Sequence, residues 1–154
     1  MRFEPIDVAK HRNFIIPFRR DSFIVSFGSD KDFGNIEEYL DWIKTKSKQF
    51  PDGFVLAIDN EIPIGQLELT IKEYNGSKIG YVNLYYLIPE KRGMGLGKEL
   101  QQYALNFFDN YGVKEYHLRV SPSNKNAINF YRKNGMQEIG LELEGKVIRM
   151  KGTL

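Results

Sequence analysis

A cluster of glycines at residues 90–100, EKRGMGLGKEL, is the stretch of the sequence that most clearly suggests chemistry. Gly93, Gly95 and Gly97 occupy alternate positions between a basic pair and an amphipathic stretch, and the apolar run YVNLYYLIP precedes them. The cluster therefore joins a predicted strand to a predicted helix. Glycines at such a junction allow a backbone to approach a ligand closely, and the N–H groups that begin a helix bind anions. The spacing indicates a candidate phosphate-binding loop.

Two common phosphate-binding loops do not match this spacing. A Walker loop requires GxxxxGK followed by Ser or Thr, whereas Gly93 and Gly97 are one residue too close and Glu99 occupies the hydroxyl position. The dinucleotide fingerprint GxGxxG begins well at Gly93, but Lys98 stands in place of its third glycine. On spacing alone, a glycine-rich turn without a ligand remains an alternative.

Short strands and amphipathic helices are predicted on both sides of the loop. The predicted strands are 3–8, 54–59, 64–74, 78–88, 115–120 and a final hairpin, MQEIGLEL and KVIRMKG, around Glu144-Gly145. The predicted helices are 36–49 with Asn35 as N-cap, 93 to about 111, and 124–134. Pro17 is expected to divide residues 9–27 into two helical pieces or a helix and a loop. This order predicts an α+β fold with a mixed, mostly antiparallel central sheet of about six to seven strands flanked by helices.

Composition restricts the possible functions. A length of 154 residues favours one domain over 1–154, and the absence of a long apolar run predicts a cytoplasmic protein without membrane contact. The absence of cysteine excludes disulfides and thiolate catalysis. His11 and His117 lack ligand spacing, so no metal site is expected. A net charge of +2 with scattered basic residues gives no indication of nucleic-acid binding.

Two motifs resemble one known family. The segment RGMGLG at 92–97 matches R/Q-x-x-G-x-G/A, the acetyl-CoA loop of the GNAT superfamily of N-acetyltransferases. Downstream, SNKNAINFY at 123–131, followed by Gly135-Met136, resembles the family's N-x-x-A-x-x-F-Y-x-x-x-G-F/M signature. The strand and lead-in YYLIPE at 85–90 also resemble the family, and the likeness covers residues 54–150. The first fifty residues match only in general layout.

The resemblance implies that acetyl-CoA is the co-substrate. Backbone N–H groups of the glycine loop would hold its pyrophosphate, with Arg92, Lys91 or Lys98 adding charge, and the strand before the loop would pair with the pantetheine arm. Sequence alone predicts Asn124 as a helix N-cap, which is compatible with a cofactor contact. The cofactor-binding residues expected by resemblance are Tyr85, Tyr86, Leu87, Arg92, Gly93, Met94, Gly95, Leu96, Gly97, Lys98, Asn124 and Asn126.

Two catalytic side chains are expected. The resemblance makes Tyr131 the general acid for the departing thiolate, although by pattern alone it is a core aromatic. Arg119 occupies the position at which some members carry a glutamate base. Glu68 and Glu73 are the best remaining carboxylates, with His117 next, and for each an exposed strand position is the more usual interpretation. Without cysteine, direct attack by the amine in a ternary complex is favoured.

The predicted function is therefore the transfer of acetyl from acetyl-CoA to a primary amine. A catalytically silent acyl-CoA-binding or regulatory domain and an interaction module whose loop is only a turn are the alternatives. The resemblance implies that the aromatic and basic segment 14–28 lines the acceptor side, because acceptor specificity in this family comes largely from the N-terminal helices and adjoining loops. Asp21 and Glu68 can attract a cationic amine there. Small-molecule and peptide amines both stay open, and a homodimer is possible.

Overall fold

A computed structural model describes all 154 residues as seven strands and four α-helices. The strands are β1 (Arg2–Pro5), β2 (Phe54–Asp59), β3 (Ile62–Tyr74), β4 (Ser77–Leu87), β5 (Glu115–Val120), β6 (Gln137–Glu142) and β7 (Val147–Thr153). The helices are α1 (Val8–Phe27), α2 (Ile36–Gln49), α3 (Leu96–Asn110) and α4 (Lys125–Lys133), and Pro89–Lys91 forms one 3₁₀ turn after β4. None of these helices is both long enough and apolar enough to cross a bilayer.

The strands form one sheet in the order β1-β2-β3-β4-β5-β7-β6. All neighbouring strands are antiparallel except β4 and β5, which are parallel because α3 connects them as a crossover. The predicted α+β class with a mixed, mostly antiparallel sheet of six to seven strands is confirmed.

Helix α1 differs from the sequence prediction. It is one continuous helix from Val8 to Phe27 that contains Pro17, whereas two pieces or a helix and a loop were expected. Pro17 is exposed, so the carbonyl that loses its helical partner faces water, while Ile15 and Phe18 are buried against the sheet. Packing of these apolar side chains therefore outweighs the local preference for a break.

The two faces of the sheet carry different helices. Tyr39 of α2 contacts Glu68 of β3 on one face. Side chains alternate along a strand, so Leu67 and Leu69 point to the opposite face, where α3 lies. On that face Phe108 is fully buried against Gly80, at which even a Cβ atom would approach the Phe108 ring to 2.4 Å. The main core thus lies on both sides of the central strands.

A bulge in β4 creates the opening used by the site. Glu68 of β3 is paired with Leu84 and Leu69 with Val82, which leaves Asn83 as an extra residue in β4. The parallel pairing of β4 with β5 extends only from Gly80 to Val82. Beyond this point the two strands separate, and the side of β4 that faces β5 has no strand partner.

The fit of α3 to the sheet can be tested by replacing Phe108 with Ala. Because the ring is fully buried against Gly80, the change should lower the free energy of unfolding by about 3–5 kcal/mol. Chemical denaturation measures the loss. The control Asp109→Ala, at an exposed position of the same helix, should change stability by less than about 0.5 kcal/mol. Equal effects for the two variants would contradict the described packing.

Candidate active site

A cavity of about 440 Å³ lies in the gap between β4 and β5. Its lining includes seven of the residues predicted from sequence, namely Tyr85, Tyr86, Leu87, Arg92, Asn124, Asn126 and Tyr131. The loop residues Gly93, Met94, Gly95, Leu96, Gly97 and Lys98 do not line this cavity and follow directly after Arg92, at the start of α3. The structure therefore brings both sequence motifs to the same opening in the sheet.

The glycine loop presents unpaired backbone donors. Helix α3 begins at Leu96 and not at Gly93 as predicted, because Gly93 and Gly95 adopt left-handed backbone angles with φ of 74° and 82°. The N–H groups of residues 93–97 form no hydrogen bonds with other backbone atoms, since they precede or begin the helix. They lie at the positive end of the α3 dipole, an arrangement that binds an anionic group.

Gly97 has a packing role that spacing alone did not show. A Cβ atom at this position would approach the ring of Phe130 on α4 to 3.1 Å. Its backbone angle is not left-handed, unlike those of Gly93 and Gly95. Gly97 therefore permits the close contact between α3 and α4, and the other two glycines shape the loop.

Arg92 is held by protein partners. Its Nε donates to the carbonyl of Leu87 at 2.9 Å, and its NH2 group donates to Oδ2 of Asp21 at 2.8 Å. The hydroxyl of Tyr86 donates to the same Asp21 oxygen at 2.5 Å. Asp21 thus ties α1 to the start of the glycine loop and partly offsets the charge of Arg92. Lys98 is exposed and forms no ion pair, which leaves its charge available to a ligand.

Tyr131 faces the cavity from α4. Its ring lies 6.1 Å from the ring of Tyr85, and its hydroxyl has no hydrogen-bond partner in the protein. Burial, with a smaller effect from Tyr116, raises the pKa of Tyr131, so the hydroxyl stays protonated at neutral pH. Asn124 caps α4 by accepting a hydrogen bond from the Ala127 N–H at 3.3 Å, as predicted for a helix N-cap.

A second cavity of about 490 Å³ adjoins the first. Both cavities are lined by Ser22, Phe23, Asn83 and Leu84, so they meet at the β4 bulge and α1. The remaining lining of the second cavity is Arg19, Phe33, Gly34, Asn35, Glu38, Tyr39, Trp42 and Glu68. Part of the segment 14–28 therefore forms a wall of both cavities.

Glu68 is buried, whereas an exposed strand position was the more usual expectation. One of its oxygens, Oε2, accepts a hydrogen bond from the Tyr39 hydroxyl at 2.5 Å and another from Gln66 Nε2 at 2.8 Å. Burial raises the pKa of Glu68 to about 7, although the Tyr39 hydrogen bond and the charge of Arg19 oppose the rise. A carboxylate with this pKa can accept a proton near neutral pH.

The other candidate bases lie elsewhere. Glu73 is exposed and is not part of either cavity. His117 is buried outside the cavities, where Nε2 contacts Glu115 at 3.0 Å and Nδ1 contacts Arg149 at 3.0 Å. Arg119 lines the first cavity and pairs with Glu142 at 2.8 Å. Glu68 is therefore the one member of the predicted set of bases that faces the second cavity.

Arg119 also influences Glu142, a carboxylate that lines neither cavity. Hydrogen bonds from Arg149 and then from Arg119 lower the pKa of Glu142, which makes it a weak base. No group of three or more His, Cys, Asp or Glu side chains is arranged to hold a metal ion.

Sequence reasoning missed Tyr39, Gln66 and Asn83 as parts of this site, and it included Arg19 only as one residue of the segment 14–28. Tyr39 lies within the predicted helix 36–49, and its distance of 29 residues from Glu68 gives no local signal. Asn83 is part of the site because it is the extra residue of the β4 bulge, and the alternating pattern of the strand does not reveal this bulge.

A known protein family matches most of the sequence. Residues 16–136 match the model described as the acetyltransferase (GNAT) family. The chain belongs to this family. A similar curated protein is N-alpha-acetyltransferase 30 of Schizosaccharomyces pombe, which is 30% identical over 88 residues. That match covers 56% of this chain and 59% of the relative, so the chain spans little more than half of that relative's length.

Solved structures confirm that the fold is that of GNAT proteins. The ribosomal-protein-alanine N-acetyltransferase of Brucella melitensis superimposes with a TM-score of 0.78 at 16% identity, over 100% of both chains. The PaiA N-acetyltransferase of Thermoplasma acidophilum, solved in complex with coenzyme A, gives a TM-score of 0.75 at 21% identity, over 99% of this chain and 98% of that chain.

The glycine loop can be tested by replacing Gly95 with Glu. A carboxylate beside the unpaired N–H groups would repel a bound phosphate, so acetyl-CoA affinity measured by calorimetry should fall more than about 100-fold. The matched control is Gly112→Glu, because Gly112 also has a left-handed angle, φ 71°, and no atom near its Cβ position.

Both variants carry a similar backbone strain, so circular dichroism should show the same small loss of stability in each. Acetyl-CoA binding should be retained in Gly112→Glu. Unchanged affinity in Gly95→Glu would show that the loop is not the pyrophosphate site.

Proposed function

We propose that the protein transfers the acetyl group of acetyl-CoA to a primary amine. The observation that carries this proposal is the meeting of two cavities at the β4 bulge, one beside the glycine loop and the other containing Glu68. The family membership and the coenzyme A bound by the PaiA protein support acetyl-CoA as the co-substrate. Its pyrophosphate would accept hydrogen bonds from the N–H groups of residues 93–97, and its pantetheine arm would lie along the open side of β4.

Glu68 is proposed as the general base. The amine nitrogen must be neutral to attack the thioester carbonyl, and Glu68 would accept the proton either directly or through water. With a pKa of about 7, Glu68 is matched to an α-amine, whose pKa of about 8 makes deprotonation at pH 7 cost only about 1 kcal/mol. A lysine-like amine would cost about 4–5 kcal/mol.

This difference favours a peptide or amino-acid α-amine as the acceptor class. The names of the S. pombe relative and the B. melitensis neighbour support the same choice, since they describe N-alpha and alanine acetyltransferases.

Tyr131 is proposed as the general acid. Attack by the amine forms the C–N bond and breaks the C–S bond, and the Tyr131 hydroxyl gives its proton to the departing thiolate. Its place in the cavity next to β4, where the hydroxyl stays protonated, supports this role. The amine nitrogen loses two protons in all. Glu68 accepts one before attack, and water takes the other after the C–N bond forms, which balances the proton that Tyr131 gives to the thiolate.

Replacing Glu68 with Gln tests the base. Gln retains an oxygen that can accept the Tyr39 hydrogen bond, so the fold should persist, but kcat/KM should fall about 10²–10⁴-fold. In the wild type the carboxylate works only when deprotonated, so kcat/KM should rise with pH through about 7, and the titration of the amine should add a second rise near about 8. Rate profiles with a peptide α-amine measure this rise.

The variant should lose the rise near pH 7 and keep only the titration of the amine itself. Glu73→Gln is the control, because Glu73 is an exposed carboxylate on the same strand. A profile unchanged by Glu68→Gln would exclude Glu68 as the base.

Replacing Tyr131 with Phe tests the acid. The ring is retained and only the proton donor is lost, so kcat should fall about 10²–10⁴-fold while the KM for acetyl-CoA changes little. Tyr85→Phe is the matched control, because the Tyr85 hydroxyl is buried in the same region without a hydrogen-bond partner. Normal turnover by Tyr131→Phe would contradict the assignment.

A further inference from the structure

Arg19 of α1 is the one arginine in the chain without an ionic partner. The sequence contains eight arginines, and seven of them form ion pairs with carboxylates. The guanidinium group of Arg19 forms no ion pair, and none of the side-chain hydrogen bonds in the structure includes it as a donor. Arg19 is partly buried and lines the second cavity, next to Glu68 and Tyr39.

Aromatic rings fix the position of this guanidinium. Its Cζ lies 4.1 Å from the ring centre of Tyr39, 5.0 Å from that of Phe33 and 5.2 Å from that of Phe23. Such cation–π contacts orient the group but leave its N–H donors unused. Five donors held in a rigid fork match the geometry of a carboxylate.

Tyr39 connects Arg19 to the proposed base. The guanidinium of Arg19 packs on the ring of Tyr39, and the hydroxyl of Tyr39 donates a hydrogen bond to Glu68. A cation and a carboxylate therefore face the same cavity, and both contact Tyr39. Glu38, the only other charged residue in the lining, is exposed. A ligand with an amine near Glu68 would therefore place its neighbouring groups near Arg19.

We propose that the acceptor carries a negatively charged carboxylate close to its amine, and that Arg19 binds this carboxylate. This inference rests on the proposed acetyl transfer and narrows its acceptor class. A polyamine is disfavoured, because its second ammonium would lie beside the guanidinium of Arg19. The carboxylate belongs either to a free α-amino acid or to an acidic side chain that follows the amino terminus of a peptide.

Binding of paired amines to the coenzyme A-loaded protein tests this inference without requiring turnover. One pair is alanine and alaninamide, and the other is the amidated dipeptides Ala-Glu and Ala-Gln. Calorimetry should show at least about tenfold tighter binding of the charged member in one pair, as expected for a charge-assisted hydrogen bond. The pair that shows the preference identifies the source of the carboxylate.

Arg19→Gln should reduce this preference to nearly one. Because the charge of Arg19 also acts on Glu68, the test compares the two members within each pair, and circular dichroism shows that the variant is folded. Arg20→Gln is the matched control on the same helix, because Arg20 is exposed and paired with Asp30 at 3.3 Å. The Arg20→Gln variant should keep the preference for the charged member of the pair.

Equal binding of charged and neutral members in both pairs, or a preference that survives Arg19→Gln, would overturn the inference. Acetylation of the same amines is measured in parallel. If neutral amines are acetylated without any preference, the proposed function stands and the role of Arg19 falls. If charged amines bind through Arg19 but no amine is acetylated, the role of Arg19 stands and the proposed function falls.

Discussion

Strands β4 and β5 pair only from Gly80 to Val82, and the site depends on their separation beyond that point. The extra residue Asn83 bends β4 at this position, and its side chain donates to Thr70 Oγ1 at 3.1 Å, which fixes the bulge to β3. A fully paired sheet would leave no gap in its centre. The separated strands instead open a cavity of about 440 Å³ with an unpaired strand edge on one side and α4 on the other.

The two halves of the site follow from different physical causes. The glycine loop depends on backbone geometry, because left-handed angles at Gly93 and Gly95 turn the chain into the start of α3 and leave N–H groups unpaired. The Glu68 side depends on burial, which raises the pKa of the carboxyl to about 7 while Tyr39 keeps it oriented. Asp21 ties α1 to the glycine-loop half, since it accepts hydrogen bonds from Arg92 beside the loop and from Tyr86 of β4.

Local sequence signals predicted much of this arrangement. The caps Asn35 and Asn124 were recognised from single residues before amphipathic stretches, and both accept the expected backbone hydrogen bond. The two motifs led to the expectation that the loop and Tyr131 belong to the site, and the family match agrees with the resemblance on which this expectation rests. Hairpins and the final strands were also recognisable, because turns and alternation are local patterns.

The remaining features depend on contacts between distant residues. The continuity of α1 through Pro17 results from packing against the sheet, and the burial of Glu68 results from α2 covering its face. The absence of an ion pair at Arg19 depends on where the carboxylates of the whole fold lie. No local pattern carries this information.

The central claim is that the gap between β4 and β5 holds acetyl-CoA with its acetyl group directed towards the cavity of Glu68. A crystal structure with a bisubstrate compound, in which coenzyme A is joined to an alanine-containing peptide, tests it most directly. The account predicts the pyrophosphate on the N–H groups of residues 93–97, the thioether between Leu84 and Tyr131, and the peptide beside Glu68. Density for the coenzyme outside this gap, or for the peptide away from Glu68, would contradict it.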